Sequence, residues 1–250
     1  MVDIHSHVLP GIDDGAPDVE TSIRMLRQSK ENGVETVIAT SHCYIKHEDD
    51  IKIFLKKREE SYKALVNAME KCDEELPDVK LGCEVNLSRD ISKFDLLEKL
   101  CVEGTDYILI EMPYNYWDEV LFDAIYYITL RKMKPVMAHI ERFFRHSNKF
   151  ESLLDLDIFY QINADSVLEP KMNRFISALF KNEMVNFIGS DMHNTEARPT
   201  QILKAYDKIA KIYGVGCADY LMENSYRLVE NREVDSFVFK KKNIFTRFGK

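Results

Sequence analysis

The chain has 250 residues, 45% of them hydrophobic, with a formal net charge of −8. This length and apolar content suit one large barrel or two small domains with a sizeable core, and the acidity argues against nucleic-acid binding. No run approaches the ~18 apolar residues of a membrane span, no basic-then-apolar leader opens the chain, and the five cysteines (Cys43, Cys72, Cys83, Cys101, Cys217) never form Cys-x-x-Cys. A cytoplasmic protein with free thiols, not integral to a membrane, is expected.

Val2 to Ile4 reads as a strand that ends in His5 and His7. Two residues apart, both imidazoles project from one strand face. A Pro10-Gly11 turn and the doubled carboxylate Asp13-Asp14 follow, then Gly15. Two same-facing imidazoles with a carboxylate nearby suit a borderline divalent cation such as Zn, Mn or Fe. A chance His-x-His pair on a strand is the competing reading of this stretch alone.

A helix starts after Pro17 with Asp18 as N-cap, carries Val19, Ile23, Leu26 and Lys30 on one stripe, and closes at Gly33. Val34 to Thr40 is the second strand and ends at His42. A long helix runs from about Asp49 to Lys71, acidic at its start, with Ile51, Leu55, Tyr62, Leu65 and Met69 on its apolar stripe. Pro77 ends it. Val79 to Val85 is the third strand and includes Glu84, and a short helix over Phe94 to Leu100 leads to the fourth, Tyr107 to Ile110, ending at Glu111. A helix over Glu119 to Lys132 precedes the fifth strand, Pro135 to Ala138, which ends at His139. Phe159 to Ile162 is the sixth, ending at Asn163; a helix over Lys171 to Asn182 follows. Val185 to Gly189 is the seventh and runs into Ser190-Asp191-Met192-His193, before helices near Thr200 to Tyr213 and Ala218 to Asn231.

Repeated strand–helix alternation with no linker or composition shift implies a single α/β domain with a parallel sheet. His5, His7, His42, Glu84, Glu111, His139, Asp191 and His193 all fall at C-terminal strand ends, which converge on one mouth in a β/α barrel. Scattered core histidines would not select that end, so the pattern implies a multinuclear metal site. A Rossmann-like sheet is disfavoured because no Gly-x-Gly-x-x-Gly follows the first strand. Histidines and carboxylates without thiolates suit hydrolytic cations with bound water. Arg142 and Arg198 each follow a ligand-bearing strand, and guanidinium forks match phosphate oxygens; surface salt bridges are the alternative.

At these residues the sequence resembles the PHP (polymerase and histidinol phosphatase) superfamily, and more closely the CpsB/YwqE type of manganese-dependent bacterial protein-tyrosine phosphatase. The resemblance rests on the run from Asp3 to Ala16, on Ala39-Thr40-Ser41-His42, Gly82-Cys83-Glu84 and Glu111-Met112-Pro113, and on His139-Ile140-Glu141-Arg142 and Ser190-Asp191-Met192-His193-Asn194. It implies a distorted (β/α)7 barrel with three divalent metal ions, Mn2+ or alternatively Fe or Zn. By position, His5, His7, Glu84 and Asp191 would hold the first ion. Glu84 would bridge to a second with Glu111 and His139, and Asp14, His42 and His193 would hold the third. Arg142, Arg198, His42 and Asp191 would be catalytic, the two arginines also binding substrate. Phosphotyrosine would be hydrolysed by a metal-bridging hydroxide. The implied substrate is a membrane-associated bacterial tyrosine kinase that controls capsule or exopolysaccharide synthesis. Ser41-His42-Cys43 stands where Pro-His-His or similar is expected; Ser41 loosens the turn and Cys43 removes a neighbouring imidazole, which bears on loop shape and removes no ligand.

Two further readings compete: a histidinol-phosphate or other small-molecule phosphatase on the same metals, and a regulator that binds phosphopeptide without turnover. Cys83 to Arg89 has the Cys-x5-Arg spacing of thiol-based tyrosine phosphatases, but no glycine follows the cysteine and Glu84 sits where a phosphate loop tolerates no acid. Cys83 is therefore expected to pack toward the helices. Tyr114, Tyr116 and Trp117 could form an aromatic wall or simply pack their loop. His47 and His146 are expected in solvent, and the aromatic, basic tail from about 237 to pack peripherally or approach an anionic membrane.

Overall fold

In the computed structural model, residues 1–153, 156–169 and 174–234 are described, apart from the side chains of 144–148, 150 and 151. β1 (Val2–Ser6) is buried throughout. It pairs in parallel with β2 (Thr36–Ala39), and β2 pairs with β4 (Asp78–Leu81). After two residues β2 is followed by β3 (His42–Cys43), and β4 likewise by β5 (Glu84–Asn86). The parallel order then runs β3, β5, β6 (Tyr107–Glu111), β7 (Lys134–Met137), β8 (Phe159–Asn163) and β9 (Phe187–Gly189). The segment after β9 returns to β1: Asp191 N–H donates to His5 O at 2.8 Å, His7 N–H donates to Met192 O at 2.9 Å, and Ser6 bridges Met192. With each interrupted pair taken as one strand, seven strands curl round in the order expected for a distorted (β/α)7 barrel.

One irregularity in β1 has consequences for the site. From Asp3 to Ser6 the strand takes three steps where β2 takes two, Val37 to Ala39. An extra residue of this kind reverses which side chains face inward. Val2 and Ile4 join the inner apolar cluster with Ile38, Leu109, Val136 and Phe187. Past the bulge, His5 and His7 face the same interior.

The helices form the outer layer. In α1 (Val19–Glu31) Asp18 caps as expected, accepting from Thr21 N–H at 2.8 Å. The others are α2 (Glu48–Met69), α3 (Glu119–Leu130), α4 (Phe150–Leu153), α5 (Ala164–Leu168), α6 (Arg174–Lys181), α7 (Ile202–Tyr213) and α8 (Val215–Val229). Strand interiors facing this layer, such as Val37, Val85, Ile108, Ile110 and Ile188, pack against Met25, Leu26, Leu65 and Ile125 in a second, larger core cluster.

Three differences from the sequence reading have local causes. The segment expected as a helix over 94–100 is two 3-10 turns, Ile91–Lys93 and Asp95–Leu100. Its apolar residues Ile91, Phe94, Leu97 and Leu100 recur every third position, the period of a 3-10 turn. The third strand is interrupted at Gly82, where an added Cβ would come within 2.9 Å of Ile38 Cγ2. Finally, α5 and a 3-10 stretch over Ile140–Lys149 occupy segments left without structure in the sequence reading. The tail from 237 and the Lys171 start of the expected helix lie outside the described residues.

Asp3 ties the seam where β9 meets β1. Its Oδ1 accepts from the backbone N–H of Ser190 at 2.9 Å and of His5 at 3.3 Å, all fully or nearly fully buried. Asp3→Ala should lower unfolding free energy by roughly 2–4 kcal/mol, since each orphaned buried donor costs about 1–3. Asp3→Asn keeps the acceptor and should lose less. Urea unfolding checks this; an Asp3→Ala protein as stable as wild type would show that the seam does not depend on this carboxylate.

Candidate metal centre

Nine side chains named from the sequence, His5, His7, Asp14, His42, Glu84, Glu111, His139, Asp191 and His193, converge at the C-terminal ends of the strands. Two glycines make room for them. A Cβ at Gly15 would lie 2.2 Å from His7 O, so only glycine lets the Asp13-Asp14 turn fold back on β1. A Cβ at Gly189 would lie 2.6 Å from His5 Cβ and 3.1 Å from Gln161 Nε2.

His5 Nε2 and His7 Nε2 are 3.3 Å apart. Glu84 Oε2 lies 3.3 Å from the first and 3.4 Å from the second, and Asp191 Oδ1 lies 3.5 and 3.4 Å from them. Donor atoms sharing one cation at about 2.1 Å lie roughly 3.0–3.5 Å from each other. Buried Glu84 Oε2 faces only imidazole nitrogens, of His5, His7 and His42, and buried His193 Nε2 faces Asp14 Oδ1 at 3.3 Å, an arrangement of lone pairs turned toward one another that an ion would satisfy. The donor set therefore fits divalent cations. A second group gathers His7, Asp14, His42 and His193, and a third His42, Glu84 and Glu111, each with its donor atoms within 4.8 Å of one another. His42 faces both ways: Nδ1 is 2.9 Å from Glu84 Oε2 and Nε2 is 3.4 Å from Asp14 Oδ1. His139 Nε2 is 2.6 Å from Glu84 Oε1 and 3.6 Å from Glu111 Oε1.

The imidazoles are oriented from behind. His5 Nδ1 faces Gln161 Oε1 at 3.1 Å, His7 Nδ1 faces Asp13 Oδ2 at 2.8 Å, and His193 Nδ1 faces the Asp191 carbonyl at 3.0 Å. Acceptors at Nδ1 hold the proton there and leave Nε2 as the ligand atom. Gln161 Nε2 in turn donates to Asn163 Oδ1 at 2.8 Å, and Asn163 Nδ2 donates to Asp191 Oδ2 at 2.7 Å. A buried amide relay thus links β1, β8 and Asp191.

Charge is balanced locally. Burial pushes Glu84 up, but positive His5 and hydrogen bonds from His139 and His42 hold it well below the usual range. Burial also opposes ionisation of Asp191, and His5, His7 and Arg142 overcome it in the same direction. His5 and His7 are correspondingly raised despite burial, by Glu84 and Asp191 for His5 and by Asp13, Asp191 and Glu84 for His7. Burial and the neighbouring His7 lower His193 to about 4. A metal binds the neutral imidazoles, so protons and cations compete at this cluster.

Arg142 and Arg198, 33% and 37% exposed, both donate through Nη2 to Asp191 Oδ2, Arg198 at 2.7 Å. Asp191 divides its carboxylate between the imidazoles and the guanidinium groups. Its φ is +51°, and that of His139 is +32°. Non-glycine residues in this region cost of order 1–3 kcal/mol, and such strain gathers at functional sites.

The remaining sequence features fall outside this cluster. Cys83 is buried in the helix-facing layer, where Arg58 donates to its Sγ at 3.0 Å, and Arg89 pairs instead with Asp118. Trp117 is buried and donates to Pro113 O at 3.0 Å, and Tyr116 lies under Arg89 at 5.0 Å. Both therefore pack their loop, whereas Tyr114 is partly exposed and hydrogen-bonded to Arg142. His47 is exposed at the start of α2; the His146 side chain lies outside those described.

The family model for capsular polysaccharide synthesis proteins CpsB/CapC matches residues 1–230. The chain belongs to the CpsB/CapC family. It is 30% identical to the tyrosine-protein phosphatase CpsB of Streptococcus pneumoniae over 92% of this chain and 98% of that protein. To the tyrosine-protein phosphatase YwqE of Bacillus subtilis it is 28% identical, over 94% and 93% respectively. A solved structure from work on YwqE and CpsB, described as metal-dependent tyrosine phosphatases, superposes with a TM-score of 0.81 at 27% identity, covering 94% of this chain and 96% of that one.

In this CpsB/CapC chain, sequence reasoning singled out Asp14 and passed over Asp13, Gln161 and the orienting role of Asn163. The Asp13 carboxylate also accepts from the backbone N–H of His42 and Gly15 at 2.8 and 3.0 Å, and with His7 these hold it ionised despite burial. A signal existed for the amides: Gln161 and Asn163 alternate on one face of an otherwise apolar strand. Partners that orient a metal-binding histidine are typically worth ten- to a hundred-fold in metal affinity. Asp13→Ala should weaken Mn2+ binding by about that factor with little change in fold, as read by calorimetric titration; wild-type affinity would remove Asp13 from the site.

Proposed function

We propose that this chain is a metal-dependent protein-tyrosine phosphatase. It hydrolyses phosphotyrosine on a protein of capsular or exopolysaccharide synthesis, and the fitting substrate is a membrane-associated bacterial tyrosine kinase reached from the cytoplasm. The observation that carries the reading is the set of donor atoms from His5, His7, Glu84 and Asp191 spaced 3.3–3.5 Å, with two arginines converging beside it. No helix among the described residues is long and apolar enough to cross a membrane.

His5, His7, Glu84 and Asp191 would hold one cation, Glu84, Glu111 and His139 a second, and Asp14, His42 and His193 a third, with Mn2+ the fitting metal. Bound there, the cations would lower the pKa of water and polarise a phosphoryl oxygen. The protein's own part is positioning and charge. Each guanidinium has five donors; with one placed on Asp191, and Arg142 also bonded to Tyr114, donors remain to meet phosphoryl oxygens at the rim. Such preorganised donors supply most catalysis of phosphoryl transfer. Asp191 fixes both forks relative to the imidazoles, so substrate and site share one reference point. Cys83 takes no part, since it is buried in the helix-facing core.

A chelator should abolish turnover of a phosphotyrosine peptide, Mn2+ should restore it, and Cys83→Ser should keep most activity. Turnover should exceed that of histidinol phosphate; the reverse preference, or a metallated Cys83→Ser protein without activity, refutes the reading. Arg142→Lys should lower kcat/KM about ten- to a hundred-fold, because an ammonium lacks the planar fork and a lost charge-assisted hydrogen bond is worth ~1.5–3 kcal/mol. Metal content should stay near wild type. Unchanged kinetics in both Arg142→Lys and Arg198→Ala would place substrate elsewhere.

A further inference from the structure

We propose that Tyr44 and Tyr114 form a clamp at the mouth of the metal centre that selects aromatic over alkyl phosphomonoesters, a role that rests on the phosphatase reading. Tyr44 is 64% exposed, although Ser41, Cys43 and Ile45 around it are buried. Its ring lies 5.6 Å from that of His42, tilted by 33°. The charges of Glu111, Glu84, Asp14 and Asp13 reach its hydroxyl, which places the residue beside the cluster. Tyr114 follows β6, is 39% exposed, packs 5.1 Å from Phe143, and is hydrogen-bonded to Arg142. It too is within range of Glu111 and Glu84.

Both phenols thus border the cluster, Tyr44 against His42 and Tyr114 against Arg142. Tyr44 directly follows β3 and Tyr114 comes three residues after β6, strands separated by β5 in the sheet. A phosphoryl group held beside Arg142 and Arg198 must direct its leaving group out through this rim. An aryl leaving group offers ring faces and edges to both tyrosines, contacts that an alkyl group cannot reproduce. Tyr116 and Trp117, committed to Arg89 and Pro113, do not contribute.

The test compares phenylphosphonate with methylphosphonate, which share the anionic head and resist hydrolysis, by calorimetric titration of the Mn2+-loaded protein. kcat/KM for phenyl phosphate is measured alongside. Tyr44→Leu and Tyr114→Leu should each lower the phenyl-to-methyl affinity ratio about three- to ten-fold, the range of one aromatic contact. Tyr44→Phe should keep the wild-type ratio, because the ring and not the hydroxyl makes the contact, and metal content should be unchanged. An unaltered ratio in both leucine variants, an equal loss for the two phosphonates, or a Tyr44→Phe loss as large as that of Tyr44→Leu would overturn the clamp. Those failures leave wild-type turnover of phenyl phosphate intact. A metal-loaded wild type that hydrolyses neither phenyl phosphate nor a phosphotyrosine peptide would refute the phosphatase reading and the clamp with it.

Discussion

The site depends on the seam where the segment after β9 meets β1. Two backbone hydrogen bonds, Asp191 N–H to His5 O and His7 N–H to Met192 O, lace the two segments together, and the Asp3 carboxylate receives Ser190 N–H. Residues nearly 190 positions apart in the chain are thereby held as next-door neighbours. Were the seam to open, His5 and His7 would part from Asp191 and His193 together. A seven-stranded ring with irregular pairing has few hydrogen bonds at this junction, so a buried side chain supplements the ladder.

Asp191 shows how one carboxylate can serve two ends. Its Oδ1 faces the imidazoles and its Oδ2 collects Asn163, Arg142 and Arg198. A buried carboxylate needs this much compensation, because a charge removed from water is costly unless paired. In the proposed reading the same compensation would couple phosphate recognition by the two arginines to the metal cluster. The left-handed backbone at Asp191 and at His139 is consistent with a geometry imposed by the surroundings and not by local preference.

The chain is acidic overall, and its centre concentrates carboxylates where the proposed phosphoryl substrate would enter. The protein resolves that conflict with raised histidines, two guanidinium groups and a donor set built for divalent cations. In a phosphatase of this design, metal loading, protonation and affinity for an anionic substrate would be linked in one cluster. The free thiols lie apart from this chemistry: Cys43 and Cys83 are adjacent in sequence to His42 and Glu84, yet the strand alternation turns both into the helix-facing core.

The sequence by itself determined the strand–helix alternation, the number of strands, and which residue types lie at their C-terminal ends, because local periodicity and turn chemistry are legible one segment at a time. It also marked Arg142 and Arg198 as companions of ligand-bearing strands. Tertiary structure alone decided where these residues meet. The bulge in β1 turns His5 and His7 inward, a one-residue parity shift that no pattern of apolar residues announces. The amide relay through Gln161 and Asn163, the choice of Asp13 to orient His7, and the placing of both arginines on Asp191 Oδ2 all join segments distant in the chain. Nothing in local sequence encodes such pairings, since a hydrogen-bond partner is chosen by what the fold brings within about 3 Å.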